Sequence, residues 1–119
     1  MMIITLPWPN SEMTSNARGA WYTKEKSRKE TIDTAYWTAM MIDPGGLDFS
    51  KPLQLHILAC PPDKRKRDLF NVVDSLKYTI DGIAKAKGFN DVQIRKGIEE
   101  WGDVYPNGQI ILTFTEYVA

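Results

Sequence analysis

The sequence predicts an α+β domain in which two helices pack on one mixed sheet, in the order β-α-β-α-β-β. Three observations predict it. Residues 53–59, LQLHILA, alternate apolar and polar side chains with the period of a strand. In the stretch after Asp68, apolar side chains recur at steps of three and four, which is the spacing of a helix face. Two further apolar runs flank Tyr105-Pro-Asn-Gly108, a turn signal. At 119 residues the chain is one domain, residues 1–119, without repeat, linker or low-complexity segment, and small enough that an oligomer would help cover its surface.

Each element has its own signal. Met2 to Leu6 is a short apolar run stopped by Pro7 and Pro9, a buried strand leading into a loop. Trp8 and the polar segment Asn10 to Gly19 form that loop. A helix then runs from Thr23 to about Asp43. Its first half, KEKSRKE, is charged on every side and projects into solvent, while Ile32, Tyr36, Ala39 and Met40 take core spacing in its second half. Pro44, Gly45 and Gly46 end it, and the strand at 53–59 follows. Strand, helix, strand over this length implies a right-handed crossover between parallel strands. In the second helix Val73, Leu76, Ile80 and Ile83 form the core stripe, with Asn71, Asp74, Lys77, Tyr78 and Asp81 on the other side. The last two strands read as an antiparallel hairpin. Ile110, Leu112 and Phe114 face the helices, and Ile111, Thr113 and Thr115 form a half-apolar outer face suited to a partner subunit.

Composition narrows the function. The 15 basic and 15 acidic side chains cancel, so no global field draws in nucleic acid, and any such contact must come from a local patch. The single Cys60 cannot form an internal disulfide, and no signal peptide or long apolar segment appears, so the expectation is a cytoplasmic protein with no membrane association. Cys60 and the lone His56 both sit in the strand-like run, where structural roles are expected.

The patch is the run Lys64, Arg65, Lys66 and Arg67, placed at the carboxyl end of a strand, where α/β layers commonly bind ligands. It passes at Asp68 into a helix carrying further acids. Bases hold phosphates and carboxylates hold a hard divalent cation, and hydrolysis of a phosphodiester needs both. The same pattern also describes a solvated helix start, with Asp68 favoured by the positive helix terminus. Asn16, Arg18, Trp21 and Tyr22, in and after the first loop, are of the types that touch phosphate or stack on an exposed base, and equally of the types whose aromatics cap a core edge.

Three blocks, ITLPWPNS (Ile4 to Ser11), PDKRKRDL (Pro62 to Leu69) and GFNDVQI (Gly88 to Ile94), resemble the signature blocks of the RusA-type Holliday junction resolvases of phages and prophages, in order and near spacing. The resemblance implies a homodimeric, magnesium-dependent endonuclease that makes paired nicks in four-way junction DNA. Asp68 matches the first acid of the family's central Asp-x-Asp-Asn run and Asp91 the last of its later Asp-Asp pair. Phe70 and Asn90 stand where the family has acids. In strict register Asn71 matches the family Asn and Asp74 falls on the catalytic Lys. With three residues inserted, Asp74 takes the Asn position, Lys77 the Lys position and Asp81 an acid further along. We favour the second register.

The expected site is therefore Asp68, Asp91 and Asp74 holding Mg2+, with Lys77 steadying charge on the phosphate. Lys64, Arg65, Lys66, Arg67, Asn71, Asn16 and Arg18 hold DNA. A junction-binding protein that has lost catalysis is the alternative, because Phe70 and Asn90 each remove a ligand oxygen. A structural phage protein without DNA affinity is the third reading.

Overall fold

The computed structural model describes residues 1–9 and 21–119, with side chains from residue 24 onward in the second segment. The elements are β1 (Met2–Pro7), α1 (Trp21–Met40), β2 (Leu53–Cys60), α2 (Leu69–Asp74), α3 (Lys77–Lys87), a 3-10 turn at Asp91–Gln93, β3 (Ile94–Trp101) and β4 (Gln109–Glu116). The result is an α+β domain with a four-stranded mixed sheet and a helical layer, as the sequence predicts.

The strand order is β1-β4-β2-β3. This corrects two expectations. β3 and β4 form no hairpin: β3 lies parallel to β2 at the edge, and β4 inserts antiparallel between β1 and β2. β1 and β2 do run in the same direction, but β4 separates them. The directly paired parallel strands are β2 and β3, connected through α2 and α3. The turn at Tyr105–Gly108 forms, with Asn107 and Gly108 at positive φ and Gly108 N donating to Tyr105 O at 2.7 Å. It serves a connection that crosses the end of β2.

One sheet face carries the core. Met2, Ile4 and Leu6 of β1, Leu53, Leu55, Ile57 and Ala59 of β2, and Ile110, Leu112 and Phe114 of β4 are all buried. Against them pack Ala35 and Ala39 of α1, Val72 of α2, Leu76 between the two helices, and Ile83 and Ala84 of α3. Burying one such side chain contributes about 1.5–3 kcal/mol. Beyond α3, Gly88 adopts φ +75 as a left-handed cap, and Phe89 then stacks on Phe49 and meets Phe114 edge-on.

The helices differ from expectation in detail. α1 does not project into solvent: Ser27 is buried, Arg28 lies 5.6 Å over the Tyr78 ring, and a Cβ on Gly82 of α3 would sit 2.4 Å from Ile32 O. Met40 is exposed, and Ala35 takes the core position. The second helix is broken in two at Ser75 and Leu76. The Ser75 hydroxyl donates to Val72 O and Leu76 N donates to Val73 O, a tighter turn that a back-bonding serine favours. The buried stripe accordingly runs Val72, Leu76, Thr79 and Ile83, leaving Val73 and Ile80 half-buried.

Candidate nucleic-acid interface

β1 and β2 end level with one another on either side of β4, since Pro7 and Cys60 both pair with Gln109. Just beyond these ends lies an open groove of about 540 Å³ whose walls include Trp8, Pro62, Arg65, Lys66, Arg67 and Asn71. The sequence places the basic run at a strand's carboxyl end, and the fold puts it there. Backbone bonds from Gly102 N to Ala59 O and from Tyr105 N to Pro61 O tie the β3–β4 connection against the loop's start.

The loop is internally braced. Arg67, whose side chain is only 16% exposed, donates to an Asp63 carboxylate oxygen at 2.9 Å and to the Asp63 carbonyl at 3.1 Å. Its guanidinium lies 5.6 Å from the Trp8 ring centroid, so the base and the aromatic hold one another. Arg65 binds the same carboxylate through its backbone N and its Nε. Arg67 first, and then these Arg65 bonds, hold the Asp63 carboxyl far below the usual carboxylate range. Arg67 is thus a strut, while the exposed Arg65, Lys64 and Lys66 are the side chains facing water.

Asp68 is the N-cap of α2, accepting from Phe70 N at 2.9 Å, which satisfies an otherwise unpaired helical N–H. Asn71 lines the groove one turn later. Phe70 points away from the core and is 76% exposed, next to the basic loop.

The remaining expected ligands lie elsewhere. Asp74 and Lys77 are exposed around the break between α2 and α3 and do not line the groove. Asp91 lies before β3, in a 3-10 turn capped by Asn90, whose side chain accepts from Val92 N while Gln93 reaches back to Asn90 N. Gln93 also donates to Phe49 O and Lys51 O, at the amino end of β2. Asp68 follows the other end. At about 3.3 Å per residue the parallel run from Leu53 to Ala59 alone separates those ends by about 20 Å.

Among the described residues no group of three His, Cys, Asp or Glu could hold a metal ion. Asp68, Asp74 and Asp91 of one chain are therefore not brought together as one metal-binding group. Asn16 and Arg18 lie outside the described residues, as do the side chains of Trp21 and Tyr22. Trp8 is the groove residue that sequence reasoning missed. Its signal was an aromatic held between two prolines at the end of a buried strand.

His56 and Cys60 take structural roles. His56 Nε2 pairs with Glu100 Oε1 across β2 and β3 at 2.8 Å, and Cys60 is buried against Gly102. No helix among the described residues is long and apolar enough to cross a membrane.

No family model matches the chain. An uncharacterized protein of Xylella fastidiosa (strain Temecula1 / ATCC 700964) is 31% identical to it over 117 residues, covering 97% of this chain and 76% of that protein. With that identity sustained over nearly its whole length, the chain belongs to the same family as this uncharacterized Xylella fastidiosa protein.

Proposed function

We propose that this protein binds branched DNA, four-way junctions in particular, through the groove at the ends of β1 and β2. The carrying observation is the conjunction there of Trp8 with Arg65 and Lys66 on a loop braced by Asp63 and Arg67, with the exposed Phe70 next to it at the start of α2. Cations fix the phosphate backbone, and aromatic rings take up bases that a branch point leaves unstacked. The ordered resemblance to RusA-type resolvases selects the junction among possible DNA forms. The setting that goes with this reading is the cytoplasm of a bacterial host, with the protein encoded by a phage or prophage.

Those ordered blocks also favour a second reading, a Holliday junction resolvase making magnesium-dependent paired nicks as a homodimer. That reading needs carboxylates that one chain does not gather, so Asp68 of one copy would have to act with Asp91 of another. The open face of the sheet, with Ile3, Leu58, Ile98 and Ile111, is the surface offered to a second copy.

The test incubates the protein with a labelled junction and a matched duplex, with magnesium or chelator. Salt-sensitive junction preference without nicking supports the binding protein. Nicking that is lost in Asp68→Asn and in Asp91→Asn, and returns when the two variants are mixed, supports a resolvase with sites shared between copies. No preference for the junction sinks both readings.

A further inference from the structure

A second cavity adjoins the groove, and neither reading above uses it. Of about 190 Å³, it lies between the end of β1, α1 and the break between α2 and α3. It shares Trp8, Pro9 and Ser75 with the basic groove, so the two are neighbours across one wall. Leu6, Ala35 and Leu76 form its apolar floor. Its polar lining is hydroxyl and carboxylate: Ser27, Thr31, Thr34, Ser75, Thr79 and Glu30.

The state of those hydroxyls sets what the cavity recognises. Ser75 Oγ donates to Val72 O at 2.5 Å, and Thr31 Oγ1 donates to Ser27 O at 2.7 Å. Each hydroxyl has a single proton, so these two present only lone pairs to a ligand. Glu30 can only accept when ionised, and among the described residues it forms none of the ion pairs. Ser75, Thr31 and Glu30 thus offer acceptors alone, and a ligand that fits them presents N–H donors along one edge. The volume is below the roughly 300 Å³ at which pockets for drug-sized ligands begin, which suits one planar ring system.

We propose that this cavity takes a single unstacked guanine base, with Trp8 at the shared wall and the guanine N1–H and N2 amine directed to Glu30 and the α1 hydroxyls. The base comes from a DNA strand whose phosphate lies in the adjoining basic groove or from a free guanine nucleotide. The first source rests on the DNA-binding reading above and the second does not. Guanine is singled out because its N1–H and exocyclic amine are adjacent donors that a carboxylate accepts together. Uracil offers one donor on that edge, and hypoxanthine lacks the amine.

The experiment titrates the full chain with 5′-GMP, IMP, AMP and UMP by calorimetry; the shared phosphate cancels, leaving the base. GMP is expected to bind at least fivefold more tightly than IMP or UMP. Glu30→Gln, a change on an exposed helical surface, is expected to abolish that preference while leaving the thermal melt unchanged. Equal affinity for all four nucleotides, or a GMP preference that survives in Glu30→Gln, overturns the proposal. A second arm compares four-way junctions with guanine or inosine at the crossover. Discrimination there as well assigns the base to DNA. Discrimination among nucleotides alone keeps the cavity and assigns it to free nucleotide, whatever becomes of the junction reading.

Discussion

At Phe70, solvent exposure separates function from stability. Its side chain is 76% exposed, so Phe70→Ala removes little buried surface and is expected to change unfolding stability by no more than about 0.5 kcal/mol. Base stacking on an aromatic ring is worth about 1–3 kcal/mol. Junction affinity in the same variant should therefore fall by roughly 5-fold to 140-fold, measured by fluorescence anisotropy. An unchanged affinity would show that the ring takes no part in binding. Asp63 makes a different prediction. Its carboxyl is held below its ordinary value of 3.8 by Arg67 and Arg65. A depressed carboxylate contributes its full bracing above the unfolded-state value and loses it as pH falls through the native one. Protease protection of the Pro61–Asp68 loop should thus be flat from about pH 7 to 5 and decline below about pH 4. Asp63→Asn should be less protected at neutral pH and show no such decline. None of this bracing was legible from the run Lys64–Arg67, because which base becomes a strut and which faces water depends on chain geometry around Asp63.

Among the elements, α1 and α3 pack with their backbones close together at Gly82. A Cβ on Gly82 would lie 2.4 Å from Ile32 O and 2.9 Å from the Ala35 Cβ, both on a packed helix. Gly82→Ala should raise intrinsic helix propensity and still destabilise the protein, because overpacking costs about 1–3 kcal/mol. A lowered midpoint in thermal melting checks it, and a raised one would mean that the helices part freely. The elements themselves were largely legible. Alternation correctly assigned Leu53, Leu55, Ile57 and Ala59, and Ile110, Leu112 and Phe114, to the core face. Alternation gives a strand's face and says nothing of its neighbour, which is why a good turn signal at Asn107-Gly108 was mistaken for a hairpin. The helical stripe was off by one residue from Val73 to Val72 because the break at Ser75 resets the phase. For the same reason of neighbourhood, matching aspartates by motif placed Asp68 and Asp91 together, whereas a helical layer and a parallel strand pair hold them at opposite ends.

In the whole molecule, the helices cover one face of the sheet and leave the other open. On that face Ile3 is 50% exposed, with Leu58, Ile98 and Ile111 in the central rows. If a second copy covers it, Ile111→Glu should shift the sedimenting species from dimer to monomer and leave the helical signal in circular dichroism intact. Sedimentation unchanged by the substitution would place the association elsewhere.

The position of β4 also bears on when the fold can form. β1 is made well before β4, yet among the described residues β4 is its neighbour in the sheet, with Met2 paired to Phe114. Until β4 arrives, β1 has no ladder and the helix-facing rows of β2 lack a flank. Closing so long a loop is entropically costly and slow. The nascent chain therefore carries Met2, Ile4 and Leu6 without their β4 ladder until β4 has been made. Chaperone contact during that interval is expected at β1, and the basic groove, whose walls join the ends of β1 and β2, forms only once β4 has brought those ends together.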